Sequence, residues 1–325
     1  MNEATIYTTP TNGFLSWLPE SWIPYAELMR IHKPAGILYI YFPYLFGSLF
    51  AASIKHNSLS PVELIRLNMV LLGIAFIVRS IGCTWNDFVD REVDKHVNRS
   101  KVRPIARGAI SASEGLIFMA AEYILLFSVA GTFLPDCLPY LVPVITSGTI
   151  YPYAKRFTYY AQAVLGLSLS MGIPFGCAAA GVDPIRLGLL RFSSQGLALL
   201  ALAVSYILWT MVYDTIYAFQ DIEGDKKMGN KAMSVLFEQK IKMVLYLLST
   251  AQIGLLLFTG SFGKAGIAYH VGVAYTALLL VIMIQRVDLK SPEICGWWFS
   301  RGSLMVGGSL TASLLGEYVT RVWFF

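Results

Sequence analysis

Charge is scarce in this chain: Asp, Glu, Lys and Arg together make up 14% of its 325 residues, against about 25% in a typical soluble domain. Apolar residues reach 56% and the mean hydropathy is +0.58, more apolar surface than one soluble core of this length can bury. An ordinary soluble globule, a disordered chain, a coiled coil and a collagen are excluded. Cysteine is equally sparse. The four, Cys83, Cys137, Cys177 and Cys295, lie scattered in apolar stretches without metal-type spacing, which excludes a disulfide framework and a zinc site. The four histidines are dispersed too.

Long apolar runs are abundant. Nine of about membrane-spanning length cover 35–54, 64–85, 115–134, 137–153, 161–181, 196–218, 241–260, 265–284 and 299–320. None alternates with period two, so a lipid-spanning barrel is excluded and the fold class is all-α, a polytopic membrane bundle of nine helices. We divide the chain into an N-terminal interfacial segment, 1–34, with Trp17 and Trp22 at the lipid surface, and a single intramembrane domain, 35–325. The net charge of +5 reflects topology rather than nucleic-acid binding. With nine crossings, 18 of the 25 Lys and Arg fall on the side of the N-terminus. Six fall opposite: Lys55, Arg66, Arg186, Arg191, Lys264 and Arg321, with Arg79 inside the second run. That asymmetry puts the N-terminus and the loops after even-numbered spans on the cytoplasmic side. The first 34 residues have neither the Arg-rich, acid-poor make-up of a transit peptide nor the apolar core of a signal peptide, which points to the endoplasmic reticulum or another endomembrane.

Two acidic segments occupy that side. After the second run come Asn86 and then Asp87, Asp90 and Asp94, three carboxylates that share one helical face. They repel one another unless cations intervene, and either divalent metal or ion pairs with Arg91, Lys95 and Arg99 would serve. After the sixth run Asp214, Asp221 and Asp225 fall on one helical stripe with Tyr217 and Gln220 nearby, followed by the polar turn from Gly224 to Lys231. Paired acidic helix ends, each followed by basic residues, suit Mg²⁺ bridged by a diphosphate, because Mg²⁺ takes one or two carboxylates and leaves the rest of its shell to phosphate oxygens and water. Lys101, Arg103, Lys155, Arg156 and Lys231 can neutralise the remaining anionic charge. Each could instead set topology or meet lipid headgroups. Arg79, deep in the second run, has the phase to face the same place, where it could hold an anionic substrate or pair with an aspartate.

The pattern Asn86-Asp-x-x-Asp90-x-x-x-Asp94 with Arg99 and Arg103-Pro104, and later Asp214-x-x-Tyr217-x-x-Gln220-Asp221-x-Glu223-Gly224-Asp225-x-x-x-Gly229-x-Lys231, resembles the UbiA superfamily of intramembrane aromatic prenyltransferases. Arg30-x-x-Lys33-Pro34-x-Gly36, Arg79-x-x-x-Cys83-Thr84 and Tyr151-x-x-x-Lys155-Arg156 are similar to its 4-hydroxybenzoate polyprenyltransferase branch. Ala232 after Lys231 and Trp85 before Asn86 depart from that branch. The resemblance implies an allylic prenyl diphosphate held through Mg²⁺, with Asp87, Asp90 and Asp94 on one side and Asp214, Asp221 and Asp225 on the other. It also implies an aromatic acceptor attacked at a ring carbon inside an apolar, lipid-embedded chamber. Among its members the chain looks most like fungal meroterpenoid enzymes that farnesylate polyketide phenols or phenolic acids, with 4-hydroxybenzoate prenylation for ubiquinone as the alternative. A transporter with clustered carboxylates is the alternative from another class, disfavoured because all six aspartates lie at one membrane face. No protein partner is required by this reading.

Overall fold

The computed structural model describes residues 7–8, 11–55, 59–97, 100–189 and 191–324. Among these every regular element is helical, and each of the nine apolar runs contains a helix: α1 (Ala35–Ile54), α2 (Pro61–Val89), α3 (Ala112–Phe133), α4 (Leu138–Ile150), α5 (Ala161–Ala179, with a turn at Met171), α6 (Ser194–Ala218), α7 (Ile241–Phe262), α8 (Ile267–Arg286) and α9 (Ser303–Phe324). Seven of them are long and apolar enough to cross a membrane; α4 and α9 fall short of that measure. The 13 residues of α4 rise about 20 Å, against about 30 Å of hydrocarbon. The helix gives way to a tighter turn at Tyr151–Tyr153, around Pro152. In α9, serines, glycines, Glu317 and Arg321 dilute the apolar residues. Nine helices thus stand where the nine apolar runs were read, and among the described residues seven of them meet that measure of length and composition.

Local sequence sets where these helices begin. Ser60 and Ser111 each accept from the backbone N–H three residues on, while Glu63 and Glu114 reach back to the serine N–H, closing two capping boxes that start α2 and α3. Ser193 caps α6 alone. The contacts run in a ring: α1 packs on α5, α5 on α6, α6 on α7, α7 on α8, α8 on α9 and α9 on α1, with α2 against α1 and α3 flanking α2. Lipid tails are as apolar as side chains, so such a ring is held by close packing rather than by a hydrophobic drive.

The closest packing is between α1 and α5. A Cβ on Gly47 would stand 2.0 Å from the carbonyl oxygen of Ile173, and one on Gly176 would stand 2.0 Å from that of Tyr44. Gly172, one turn before Gly176, faces the Tyr44 ring. The two backbones touch through these positions, and α1 is thereby fixed beside α6. Between them Tyr39, Phe42, Phe46, Tyr206, Trp209 and Tyr213 make a buried aromatic mass.

The N-terminal segment is divided by burial. Phe14, Trp17 and Trp22 are exposed, whereas Ile23, Ala26 and Leu28 are buried. Leu28 packs on Ile105 and Ile110, and the Tyr25 ring lies 5.1 Å from that of Phe118. From Ile23 onward the segment therefore belongs to the body of the protein, folded over the loop that follows α2.

Candidate active site

Both acidic segments wall one cavity of about 1320 Å³ at the α2 and α6 C-terminal ends. Asn86, Asp90 and Asp94 line it from the first segment, and Gln220, Asp221 and Asp225 from the second. Beyond Val89 the chain turns at Asp90 and coils once more over Arg91–Asp94, so the Asp94 N–H donates to the Asp90 carbonyl at 2.8 Å. On the other wall α6 tightens over Phe219–Asp221 and restarts as Ile222–Met228. Gly229 ends that short helix in the left-handed conformation, φ 69°, which a glycine adopts without strain. The reversal brings the Asn230 side-chain amide to the Asp225 carboxylate at 2.9 Å. The polar turn expected over Gly224–Lys231 is therefore confined to Gly229–Lys231, with the residues from Gly224 to Met228 in the short helix.

Basic groups complete the wall. Arg103, Lys155 and Arg156 all line the cavity. Arg156 reaches Asp90 at 3.4 Å, and Arg103 reaches Asp94 at 2.7 Å and Asp87 at 3.2 Å. Burial, and next the Asp94 charge, raise the Asp90 carboxyl above the usual range against the pull of Lys155, Arg103 and Arg156. Burial works against the charged form of Arg103, yet the Asp87 and Asp94 carboxylates outweigh it and raise its pKa. Arg103 therefore stays cationic at the wall.

The remaining expected residues stand elsewhere. Asp87, Asp214, Arg79, Lys101, Tyr217 and Lys231 are not in the cavity lining, and Arg99 lies outside the described residues. Asp87 shares a helical face with Asp90 and Asp94, but Arg30 covers it, donating to its two oxygens at 2.7 and 2.8 Å. Asp214 is two turns deeper along α6 than Asp221. The Lys231 N–H donates to the Lys155 carbonyl at 3.3 Å, and its ammonium lies 5.9 Å from the Tyr159 ring centre.

Arg79 meets backbone rather than an aspartate: its guanidinium donates to the carbonyls of Arg30 at 3.0 Å and Lys33 at 2.7 Å, which orients the group through two of its five donors and leaves its charge unneutralised. Gly36 makes the room, since a Cβ there would stand 2.6 Å from an Arg79 nitrogen. Helical phase gave the direction of Arg79 and missed the chain segment in its way.

Below the cavity the aromatic mass continues to Phe299, in the wide turn Trp298–Gly302 that precedes α9. Its ring centre is 4.2 Å from that of Tyr217 and 5.0 Å from that of Tyr39, whose hydroxyl donates to the Phe299 carbonyl. Tyr39 and Phe299 escaped sequence reasoning because 260 residues separate them and neither stands in a spaced motif. Among the described residues no group of three or more His, Cys, Asp or Glu side chains could hold a metal by itself. Carboxylates facing one another across a wide, basic-edged cavity instead suit Mg²⁺ that shares its shell with an anionic ligand and water.

A model described as the UbiA prenyltransferase family matches residues 40–306. The chain is 34% identical to the mitochondrial 4-hydroxybenzoate polyprenyltransferase of Saccharomyces cerevisiae, over 96% of this chain and 81% of that one. It is 32% identical to the DMOA farnesyltransferase nvfB of Aspergillus novofumigatus, over 86% of each chain. Among solved structures, a UbiA homolog from Archaeoglobus fulgidus bound to GPP and Mg²⁺ superposes with a TM-score of 0.67 at 20% identity, covering 91% of this chain and 99% of that one. The last similarity is one of fold.

Proposed function

This chain belongs to the UbiA prenyltransferase family, and we propose that it transfers a farnesyl group from farnesyl diphosphate to a ring carbon of a phenol or phenolic acid of polyketide origin, in meroterpenoid biosynthesis. It is an integral membrane prenyltransferase. The observation that carries the prenyl-diphosphate reading is that residues of both acidic segments line one basic-edged cavity.

In this reading Asn86, Asp90 and Asp94 on one wall and Asp221 and Asp225 on the other hold Mg²⁺ together with the diphosphate, with Asp87 and Asp214 behind them. Bound there, the metal supplies charge neutralisation that makes diphosphate a competent leaving group. Arg103, Lys155 and Arg156 take up the charge that grows on its oxygens as the allylic C–O bond breaks and the electron pair leaves with diphosphate. A ring carbon of the acceptor then donates an electron pair to the allylic carbon, and the ring proton is released to restore aromaticity. The aromatic floor of Tyr39, Tyr213, Tyr217 and Phe299 keeps water from the allylic cation. Farnesyl as donor is supported by the relative named for it. The relative named for 4-hydroxybenzoate supports a second reading, that acceptor with a longer polyprenyl donor.

Purified protein with Mg²⁺, prenyl diphosphates of increasing length and a panel of phenolic acids tests this by mass spectrometry of products. A farnesylated polyketide phenol is expected, absent with EDTA and restored by Mg²⁺. Polyprenylated 4-hydroxybenzoate would select the second reading, and product formed without divalent metal would contradict the site. The gathering of Lys and Arg at the cavity end supports a cytoplasmic mouth, and we place the protein in the endoplasmic reticulum or another endomembrane. A fluorescent fusion should mark those membranes; mitochondrial fluorescence would overturn the placement.

A further inference from the structure

Asp87 sits inside the first acidic motif, yet its side chain is 1% exposed and faces arginine instead of the cavity. Its Oδ1 accepts from Arg30 at 2.7 Å and lies 3.2 Å from Arg103, and its Oδ2 accepts from Arg30 at 2.8 Å. A metal bound to this carboxylate would have to displace two guanidinium groups and bring its own charge beside them. The neighbouring Asp90 is met by the half-exposed Arg156 at 3.4 Å, and its own side chain is 24% exposed, on the cavity.

The same nitrogen of Arg103 that meets Asp87 also donates to Asp94, at 2.7 Å. Two carboxylates thus pin one corner of a planar group whose other donors are fixed in a rigid fork. Arg103 itself lines the cavity.

Arg30 is held from several directions. It takes φ 57°, a left-handed backbone that an L side chain rarely adopts and keeps only when its surroundings fix it. Its carbonyl accepts from Arg79, its guanidinium donates to the Glu27 carbonyl, and its outer nitrogen closes on Asp87. Arg107 ties the same lead-in to the loop carrying Arg103 through an ion pair with Glu27 at 2.6 Å.

We propose that Asp87 is a positioning residue and not a metal ligand: pinned by Arg30, it holds the Arg103 guanidinium at the cavity wall, where Arg103 receives the donor's diphosphate. This rests on the prenyl-diphosphate reading of the cavity and assigns Asp87 a part in it distinct from that of Asp90.

The test compares Asp87→Asn with Asp90→Asn by two measurements. One is the Mg²⁺ concentration giving half-maximal activity at saturating donor. The other is calorimetric affinity for geranyl S-thiolodiphosphate at saturating Mg²⁺, which needs no turnover. Asp87→Asn should weaken analogue binding about tenfold, the scale of one charge-assisted hydrogen bond, while leaving the Mg²⁺ midpoint within about twofold. Asp90→Asn should raise that midpoint about tenfold or more. An Mg²⁺ midpoint displaced as far by Asp87→Asn as by Asp90→Asn would make Asp87 a ligand, and unchanged analogue binding in Asp87→Asn would make it merely structural; either overturns the proposal. If Asp87→Asn does not fold, Arg103→Lys, which keeps the charge and loses the fork, must weaken the analogue likewise, and unchanged affinity overturns the proposal. Should Asp90→Asn leave the Mg²⁺ midpoint unmoved, the metal-site reading itself fails, a result separate from any seen at Asp87.

Discussion

Asp221→Ala is expected to lower prenyl transfer by a factor on the order of 10²–10³, the scale for losing one preorganised electrostatic contact to a developing charge, with the protein still folded. Asp221 ends the tight turn Phe219–Asp221 and lines the same cavity as Asp90. It precedes the helix Ile222–Met228 without capping it by its side chain, so its removal takes nothing from the apolar packing of α6. Product quantification beside a thermal melt of the same detergent preparation checks both halves. Turnover near the parent rate would remove Asp221 from the site, and a collapse of the melt would assign the loss to folding.

Gly176→Val carries the largest expected effect on stability. The added Cβ would lie 2.0 Å from the Tyr44 carbonyl oxygen, and the reciprocal position, Gly47, has the same clearance from Ile173. Backbone atoms cannot rotate aside as a side-chain end can, so α1 and α5 must separate. Overpacking of a core costs about 1–3 kcal/mol and sometimes more, and a clash on backbone belongs at the upper end. Separation would also carry Tyr39 of α1 away from Tyr213 and Phe299, so residual activity should fall with the melting temperature. Gly73→Ala is the control: nothing lies within 4 Å of a Cβ there, and the helix gains about 1 kcal/mol of intrinsic propensity. Equal melting temperatures for Gly176→Val and the parent protein would show that α1 and α5 do not meet through these glycines.

Gly172 and Gly176 are spaced as small residues are in close membrane-helix contacts, so that contact was legible in principle from Gly172-Ile-Pro-Phe-Gly176. Its partner Gly47, 125 residues earlier, was not. The apolar runs gave the position of every long helix, because composition over about 20 residues is a local property. They could not show that α4 tightens around Pro152 before a further helical turn at Ala154–Phe157, nor that serines, glycines, Glu317 and Arg321 dilute the apolar residues of α9. The acidic motifs were legible for the same local reason: helical spacing alone sets Asp90 and Asp94 on one face. Whether such a face meets the cavity depends on segments distant in sequence. Arg30 covers Asp87 from 57 residues away, and the carbonyls of Arg30 and Lys33 claim Arg79. One sequence carries the motif and not the neighbour that turns part of it inward.

The central claim is that Asp90 and Asp221, from the two halves of the chain, grip one ligand. A double-mutant cycle on geranyl S-thiolodiphosphate binding in the presence of Mg²⁺, measured by calorimetry for the parent, Asp90→Ala, Asp221→Ala and the double variant, tests it directly. Each single variant should lose most of the Mg²⁺-dependent affinity, and the double variant should lose little more than either. Independent, additive losses would mean that the two aspartates serve separate sites, and the account would be wrong.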